Sequence, residues 1–249
     1  MTTVADVERA LGAIAPFDRA LRGDNVGLLI GDPKAPVKAA LLAIDLSGEV
    51  VAEAVEKGCA LVVAYHPPIY GEVRSIRAGD PTHEAIRAGL SVLSPHTALD
   101  VADGGTSDVL AQALGLEKRS PVGEVARLGR VKKATRERFV EIVKQVLGVS
   151  HVLVAGPLEG SITRVAVGPG AARADLFAAL AAGAEVFVTG EVRHHDALAA
   201  ARAGLTVICA LHSNSERLVL RPLAASLGKK VRGVSFLVSD RDRDPFVVR

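Results

Sequence analysis

Two distant segments of the chain share one order of residue types. Residues 87–100 read RAGLSVLSPHTALD and residues 202–216 read RAGLTVICALHSNSE. Each segment has RAGL, a hydroxyl residue and an apolar run, followed by a histidine and, four residues later, a carboxylate. Upstream, GCALVVAYH at 58–66 matches GAEVFVTGE at 183–191. This self-similarity predicts an internal duplication, in which one supersecondary unit occurs twice.

The segments around the repeat alternate between short apolar runs and amphipathic stretches. Lys38–Ile44 and Leu61–Ala64 are typical of strands, and Ser47–Gly58 between them is typical of a helix with a serine cap and a terminal glycine. The same order returns later as strand RVAV (164–167), helix RADLFAALAAG (173–183) and strand EVFVT (185–189). The pattern predicts an α/β fold, a duplicated αβ unit with two mostly parallel sheets covered by helices.

Length and composition agree with such a fold. The 249 residues are long enough for two halves, which we place at 1–124 and 125–249, with a C-terminal strand that could return to the first half. A net charge of +2 and eight aromatic residues without tryptophan argue against nucleic-acid binding. Cys59 and Cys209 form no disulfide or CxxC pattern, and no apolar run is long enough to span a membrane. We therefore expect a cytoplasmic protein that is not exported.

Histidines and carboxylates follow the predicted strands in both repeats. His96 and Asp100 follow one strand, His212 and Glu216 follow its counterpart, and His66 in YHPP follows a third. Ligand sites in open α/β sheets gather at the carboxyl ends of strands, and a four-residue spacing on a helical turn puts both side chains on one face. These residues therefore predict either a metal site or a metal-free acid/base pair.

The ligand types restrict which metal such a site would hold. Imidazole and carboxylate ligands without cysteine suit zinc, iron, manganese, cobalt or nickel and argue against a structural zinc site. The repeat counterpart of His66 is Glu191, which is followed by His194 and His195. In the glycine-rich stretch GDNVGLLIGDP, Asp24 and Asn25 suit a turn or a cap, and no phosphate-binding loop pattern is present.

Five motifs occur in a fixed order over nearly the whole chain: DNVGLLIGDP, YHPPIY, HTALD, TGEVRHHDAL and HSNSERL. In this order they resemble the Nif-three-like family, also called GTP cyclohydrolase 1 type 2 homologues. YHPP together with HSNSER is most similar to the eukaryotic-type branch, and the length is similar to the short members that lack an inserted domain.

The resemblance implies a dinuclear metal centre in the cleft between two αβ halves, within ring-shaped homohexamers. By motif, His66, His212 and Glu216 would hold one divalent ion, and Glu216 would bridge to a second ion bound by Asp100. His96 would lie beside the metals, and His96 or His194 would move protons. Many members have two adjacent histidines before the proline, whereas here the first is Tyr65. A phenol binds metals poorly unless it loses its proton, so this substitution bears on the second ion.

Two functions from different classes remain open on this evidence. One is a metal-dependent hydrolase, for which the family name suggests GTP ring opening. The other is a metal-binding regulatory or scaffold ring without turnover. The sequence fixes neither the native metal nor the substrate, because family resemblance specifies a site better than it specifies a reaction.

Overall fold

The structure is a computed structural model that describes residues 1–171 and 173–249. Its α-helices are α1 (Val4–Gly12), α2 (Gly48–Glu56), α3 (Pro81–Arg87), α4 (His96–Val101), α5 (Thr106–Ala113), α6 (Arg136–Leu147), α7 (Arg173–Ala181), α8 (His194–Arg202), α9 (His212–Glu216) and α10 (Leu220–Lys230). Its strands are β1 (Gly27–Ile30), β2 (Ala39–Ala43), β3 (Leu61–Ala64), β4 (Ser91–Ser94), β5 (Glu117–Val122), β6 (Ala126–Thr135), β7 (Leu153–Ala155), β8 (Ser161–Gly168), β9 (Val186–Thr189), β10 (Thr206–Cys209) and β11 (Ser235–Val238).

The chain divides into two compact units, each with its own sheet. The first unit comprises Met1–Ala102 and Leu220–Arg243, and the second comprises Asp103–Val219 and Asp244–Arg249. The boundary expected at residue 124 lies beyond α5, which packs on β6 and β8 of the second sheet. β11 pairs with β2, so a C-terminal strand lies in the first sheet, as the sequence analysis allowed.

The sheet of the first unit has the strand order β1-β4-β3-β2-β11. β2, β3, β4 and β11 pair in parallel, and β1 pairs with β4 in the antiparallel direction. Its core cluster includes Leu41, Val62 and Val92, one from each central strand, and all three are fully buried. Each such side chain contributes about 1.5–3 kcal/mol through removal of apolar surface from water.

The sheet of the second unit has the strand order β5-β6-β8-β9-β10-β7. β8, β9 and β10 are parallel, whereas β6 and β7 pair with them in the antiparallel direction. Val165, Val186 and Ile208 form the equivalent core positions and are fully buried. The strand order β2-β3-β4 of the first unit thus recurs as β8-β9-β10, and each set has an antiparallel strand beside its third member.

This architecture confirms the α/β fold class, with two sheets flanked by helices. The helix expected from Ser47 to Gly58 is α2, whose N-terminus is capped because the Ser47 side chain accepts a hydrogen bond from the Val50 N–H. Its chain turns at Gly58, which has a φ of 64°. The repeat did not predict the antiparallel strands β1, β6 and β7, because none of them lies inside the repeated segment. Within the described residues, no helix combines the length and the apolar character needed to cross a membrane.

Candidate metal centre

In the first unit, polar side chains lie just beyond the ends of three neighbouring parallel strands. Asp45 follows β2, Tyr65 and His66 follow β3, and His96 follows β4. Pro67 comes directly after His66 and cannot donate a backbone hydrogen bond to a continuing ladder. The carboxyl ends of parallel strands form one edge of the sheet, so these side chains share one location.

His66 is held by a carboxylate. Its Nδ1 lies 2.8 Å from Oδ1 of Asp45, and its ring lies 5.5 Å, centroid to centroid, from the ring of His96. A histidine that binds a metal usually donates its other ring N–H to a carboxylate, which fixes the tautomer and the ring orientation. The contact with Asp45 therefore leaves Nε2 as the ring atom with the chemistry of a metal ligand.

Tyr65 and Asp100 form a second polar pair in this unit. Tyr65 is 1% exposed, and its hydroxyl donates a hydrogen bond to Oδ1 of Asp100, which is also buried. The hydroxyl thus contacts the carboxylate that the family resemblance assigns to a second metal ion.

His96 belongs to a third pair, formed with the loop before β1. Its Nδ1 lies 2.7 Å from Oδ1 of Asp24, whose carboxylate also accepts hydrogen bonds from Thr97 and from the Asn25 N–H. Burial raises the pKa of Asp24, but the hydrogen bonds from His96 and Thr97 outweigh it and lower that pKa to about 2. Asp24 is therefore ionised at neutral pH and fixes the ring of His96.

In the second unit the equivalent edge of the sheet carries His212 and Glu216 on the short helix α9. Nδ1 of His212 lies 3.0 Å from Oε1 of Glu191, and its Nε2 lies 3.3 Å from Oε1 of Glu216. The four-residue spacing places both side chains on one helical face, which confirms that part of the sequence prediction. Glu191 follows β9, as His66 follows β3.

Two glycines leave room for these side chains. A Cβ on Gly170 would lie 2.6 Å from Oε1 of Glu216 and 3.1 Å from Nε2 of His212. A Cβ on Gly190 would lie 2.7 Å from the Cα of His212. A side chain at either position would therefore fill the space in which the imidazole and the carboxylate lie.

His66 in the first unit offers an imidazole, and His212 and Glu216 in the second unit offer an imidazole and a carboxylate. Nε2 of His212 and Oε1 of Glu216, 3.3 Å apart, could hold a metal ion. Imidazole and carboxylate donors without a thiolate fit a borderline divalent cation. Carboxylates at Nδ1 of both histidines, Asp45 and Glu191, add the outer partners that metal-binding histidines usually have.

Three further residues expected at the site have contacts within their own units. Asp100 pairs with Tyr65 and His96 pairs with Asp24, as described above. His194 is exposed at the first residue of α8, where its ring lies 5.4 Å from that of His195. Their roles stay predictions.

Sequence reasoning missed two carboxylates of the site. Asp45 follows the end of β2 in the same way as His66 follows the end of β3, so its position after a strand was a usable signal. Asp24 was interpreted as a turn or cap residue. It does accept the Asn25 N–H, but its contact with His96 joins residues 72 positions apart, and no local pattern indicates such a contact.

Comparison with known proteins decides the family. Residues 2–245 match the sequence family described as Duf34/NIF3 (NGG1p interacting factor 3). The chain belongs to the Duf34/NIF3 family. This membership confirms the resemblance carried by the five ordered motifs.

Individual Duf34/NIF3 relatives cover almost the whole chain. A Clostridium perfringens protein named GTP cyclohydrolase 1 type 2 homolog is 31% identical over 97% of both chains. The Saccharomyces cerevisiae protein NGG1-interacting factor 3 is 35% identical over 90% of this chain and 89% of its own. The crystal structure of Staphylococcus aureus protein SA1388 superposes with a TM-score of 0.93 and 27% identity, over 100% of this chain and 99% of the other.

Proposed function

We propose that the protein is a metal-dependent hydrolase with a dinuclear centre of divalent cations. The observation that carries the proposal is the pair formed by His212 and Glu216, whose Nε2 and Oε1 atoms lie 3.3 Å apart, with Glu191 at Nδ1 of the same imidazole. In this proposal His66, His212 and Glu216 would hold one ion, and Glu216 and Asp100 would hold the second. Zinc, iron, manganese, cobalt and nickel all suit the donor set.

The chain's own residues would prepare the ligands. Asp45 and Glu191 lie at Nδ1 of His66 and His212 and would accept the proton there, so that each ring would present Nε2 to a metal. A bound divalent pair would supply Lewis acidity toward a substrate and a water of lowered pKa. Gly170 would keep the space beside His212 and Glu216 open.

Proton transfer is assigned to His96. Ionised Asp24 holds Nδ1 of His96, so Nε2 is the atom that would take a proton from a nucleophile and return it to a leaving group. His194 is a second candidate, because an exposed imidazole exchanges protons readily with solvent. The GTP cyclohydrolase name of the C. perfringens relative suggests hydrolytic ring opening, which we extend to this chain as a reaction class without a named substrate.

We further propose a homo-oligomer, a ring of six subunits, as the family resemblance implies. The second candidate function is a metal-binding regulatory or scaffold ring without turnover. One observation favours it: the Tyr65 hydroxyl donates to Asp100, so the carboxylate of the second ion already has a protein partner.

Metal content after dialysis tests the proposed centre. We expect Glu216→Ala to release both ions, because it removes the bridge, and His212→Ala chiefly to weaken the ion shared with His66. Each loss should exceed the about 10–100-fold in affinity that removal of an outer partner costs. Elemental analysis per chain measures the result. His151→Ala is the matched control, because His151 is exposed and contacts the neighbouring Ser150.

Turnover is the second half of the test. Wild type loaded with each of the five metals would be assayed on GTP, with Glu216→Ala and metal-stripped protein as controls. Ring opening that requires both metal and Glu216 supports the hydrolase. Two bound ions per chain without turnover of GTP or other cyclic amides would support the scaffold function instead. Light scattering of the same samples gives the ring size.

A further inference from the structure

A cavity of about 470 Å³ opens in the second unit, and the proposed chemistry does not use it. Its size lies within the range of small-molecule sites, about 300–1,000 Å³. Aliphatic side chains from strand β7 and from the segments around β9 and β10 form most of its wall, among them Leu153, Val154, Val192 and Leu211.

The cavity adjoins the candidate metal centre. Glu191 lines it and also holds Nδ1 of His212 at 3.0 Å. Leu211 lines it too and directly precedes His212, with a φ of 69° that an L-residue rarely adopts. A ligand in the cavity would therefore contact the residues that position His212.

Phe246 lines the cavity, and hydrogen bonds position the backbone of its segment. The Ser213 hydroxyl donates to Oδ2 of Asp244 at 2.8 Å, and Oδ1 of the same carboxylate accepts the Phe246 N–H at 2.9 Å. Asp244 thus ties the C-terminal segment to α9, beside His212. Phe246 is 68% exposed, so its ring offers a surface on which a second aromatic ring can stack.

The charge of the cavity restricts its ligand. Among the lining residues that the structure describes, Glu191 is the only acidic or basic side chain. Burial, together with the Glu191 carboxylate, raises the pKa of the Cys209 thiol to about 11, so the thiol is neutral. A carboxylate or phosphate ligand would meet repulsion, whereas an N–H donor or a cation would meet an acceptor.

We propose that this cavity binds a planar aromatic ring bearing a cationic N–H donor, such as an amidine or an amine. The ring stacks on Phe246 and lies among the aliphatic side chains, and its N–H group donates to Glu191. That this ring is part of the substrate rests on the function proposed above. The binding itself needs no metal, which allows the two proposals to be tested separately.

Benzamidine is the probe, and metal-stripped protein is the sample. NMR titration should give a Kd of about 1–10 mM, as expected for a ligand with few atoms. Glu191→Gln should weaken binding about tenfold or more, because it removes a charge-assisted hydrogen bond. Ala197→Phe should abolish binding because the new ring fills the cavity, and benzoate should not bind wild type. Circular dichroism checks that both variants fold.

Each other outcome overturns the proposal. If benzamidine binds Ala197→Phe with the same affinity as wild type, it occupies another site. If benzoate binds wild type with the same affinity as benzamidine, the role of Glu191 is refuted. If benzamidine fails to bind and Ala197→Phe lowers the mass measured by light scattering, the occupant is a second copy of the chain. The metal centre is tested separately, by the metal content of undepleted protein after dialysis. Benzamidine binding together with no retained metal supports the cavity and refutes the metal centre, whereas retained metal without benzamidine binding refutes the cavity alone.

Discussion

The two sheets share the order of three parallel strands but differ in the residues that follow the strands. The first edge is formed by the carboxyl ends of β2, β3 and β4, and the second edge by those of β8, β9 and β10. The first edge carries side chains, with Asp45 after β2 and the buried Tyr65 after β3. The second edge has Gly170 and Gly190 at the equivalent positions. The duplication thus preserved the scaffold and changed the residues that follow each strand. One edge is filled by side chains, and the other leaves room for His212 and Glu216.

The residues that follow β4 and β10 differ in where the backbone adopts a positive φ, and this changes the partners of the histidines. His96 itself has a positive φ of 31°, two residues after β4. In the second unit Leu211 has the positive φ, and His212 follows it. This one-residue shift changes the partners of the two histidines, because His96 pairs with Asp24 and His212 with Glu191 and Glu216. Equivalent residues in a repeat therefore need not have equivalent roles.

Of the substitutions that test the comparison of the two edges, Gly190→Ala should cause the largest loss of stability. An added Cβ would lie 2.7 Å from the backbone oxygen of Gly170 and from the Cα of His212, and backbone cannot rotate away. We expect a loss of at least about 3 kcal/mol in the free energy of unfolding, the upper end for overpacking, and a loss of bound metal. Urea unfolding and elemental analysis measure the two effects.

Gly48→Ala is the matched control for that substitution. Gly48 is the first residue of α2, and nothing lies within 4 Å of a Cβ built there. Alanine favours helix by up to about 1 kcal/mol over glycine, so the control should be neutral or stabilised. Equal losses in both variants would show that the second edge is not closely packed around Gly190.

Each unit also contains a buried carboxylate that accepts backbone N–H groups from a distant segment, and the two differ in the sign of their pKa shift. Glu53 in α2 accepts the N–H groups of Asp240 and Arg241. Burial raises its pKa, but the bonds from Lys57, Ser239 and those N–H groups lower it from 4.5 to about 2. Asp175 in α7 accepts the N–H groups of Glu124, Val125 and Ala126, but burial outweighs these bonds and raises its pKa above the ordinary value.

These opposite shifts predict opposite pH dependence. Glu53 contributes about 3 kcal/mol above pH 4.5, which is lost as the pH falls towards 2. Asp175 has a raised pKa, so its contribution is complete below pH 3.8 and is lost as the pH rises through the folded-state pKa. The cost of Glu53→Gln should therefore shrink in acid, and the cost of Asp175→Asn should grow. Urea unfolding at pH 7, 5 and 3 gives both slopes, and parallel slopes would contradict the assignment.

The sequence predicted the repeated unit and its strand-end residues because both are local patterns. Strand β3 occurs at the expected residues, and His212 and Glu216 contact one another as their spacing on a helix requires. The pairing of His96 could not be predicted. The spacing related His96 to Asp100 on one helical face, whereas the contact of His96 with Asp24 depends on how the loop before β1 packs against α4.

The return of a C-terminal strand to the first half was expected, but its partner strand could not be predicted. β11 pairs with β2, which is about 195 residues away in sequence. Such non-local pairing depends on the tertiary arrangement, whereas hydrophobic periodicity reports only whether a segment is a strand.

Tyr65→His should have the smallest effect on the protein. It tests whether an imidazole at the end of β3 adds a metal ligand to the first edge, as His212 does at the second. The Tyr65 hydroxyl donates to Asp100, and a phenol must lose its proton before it binds a metal well, whereas a neutral imidazole need not. We expect wild type to hold fewer than two ions per chain after dialysis and Tyr65→His to approach two, with about tenfold tighter binding of the second ion.

The control is Tyr65→Phe, which removes the hydroxyl without supplying a nitrogen. A gain in Tyr65→His alone would show that a ligand was missing, and an equal gain in Tyr65→Phe would show that the hydroxyl competes for Asp100. Two tightly bound ions in wild type, with no change in either variant, would show that the tyrosine is compatible with a complete dinuclear site.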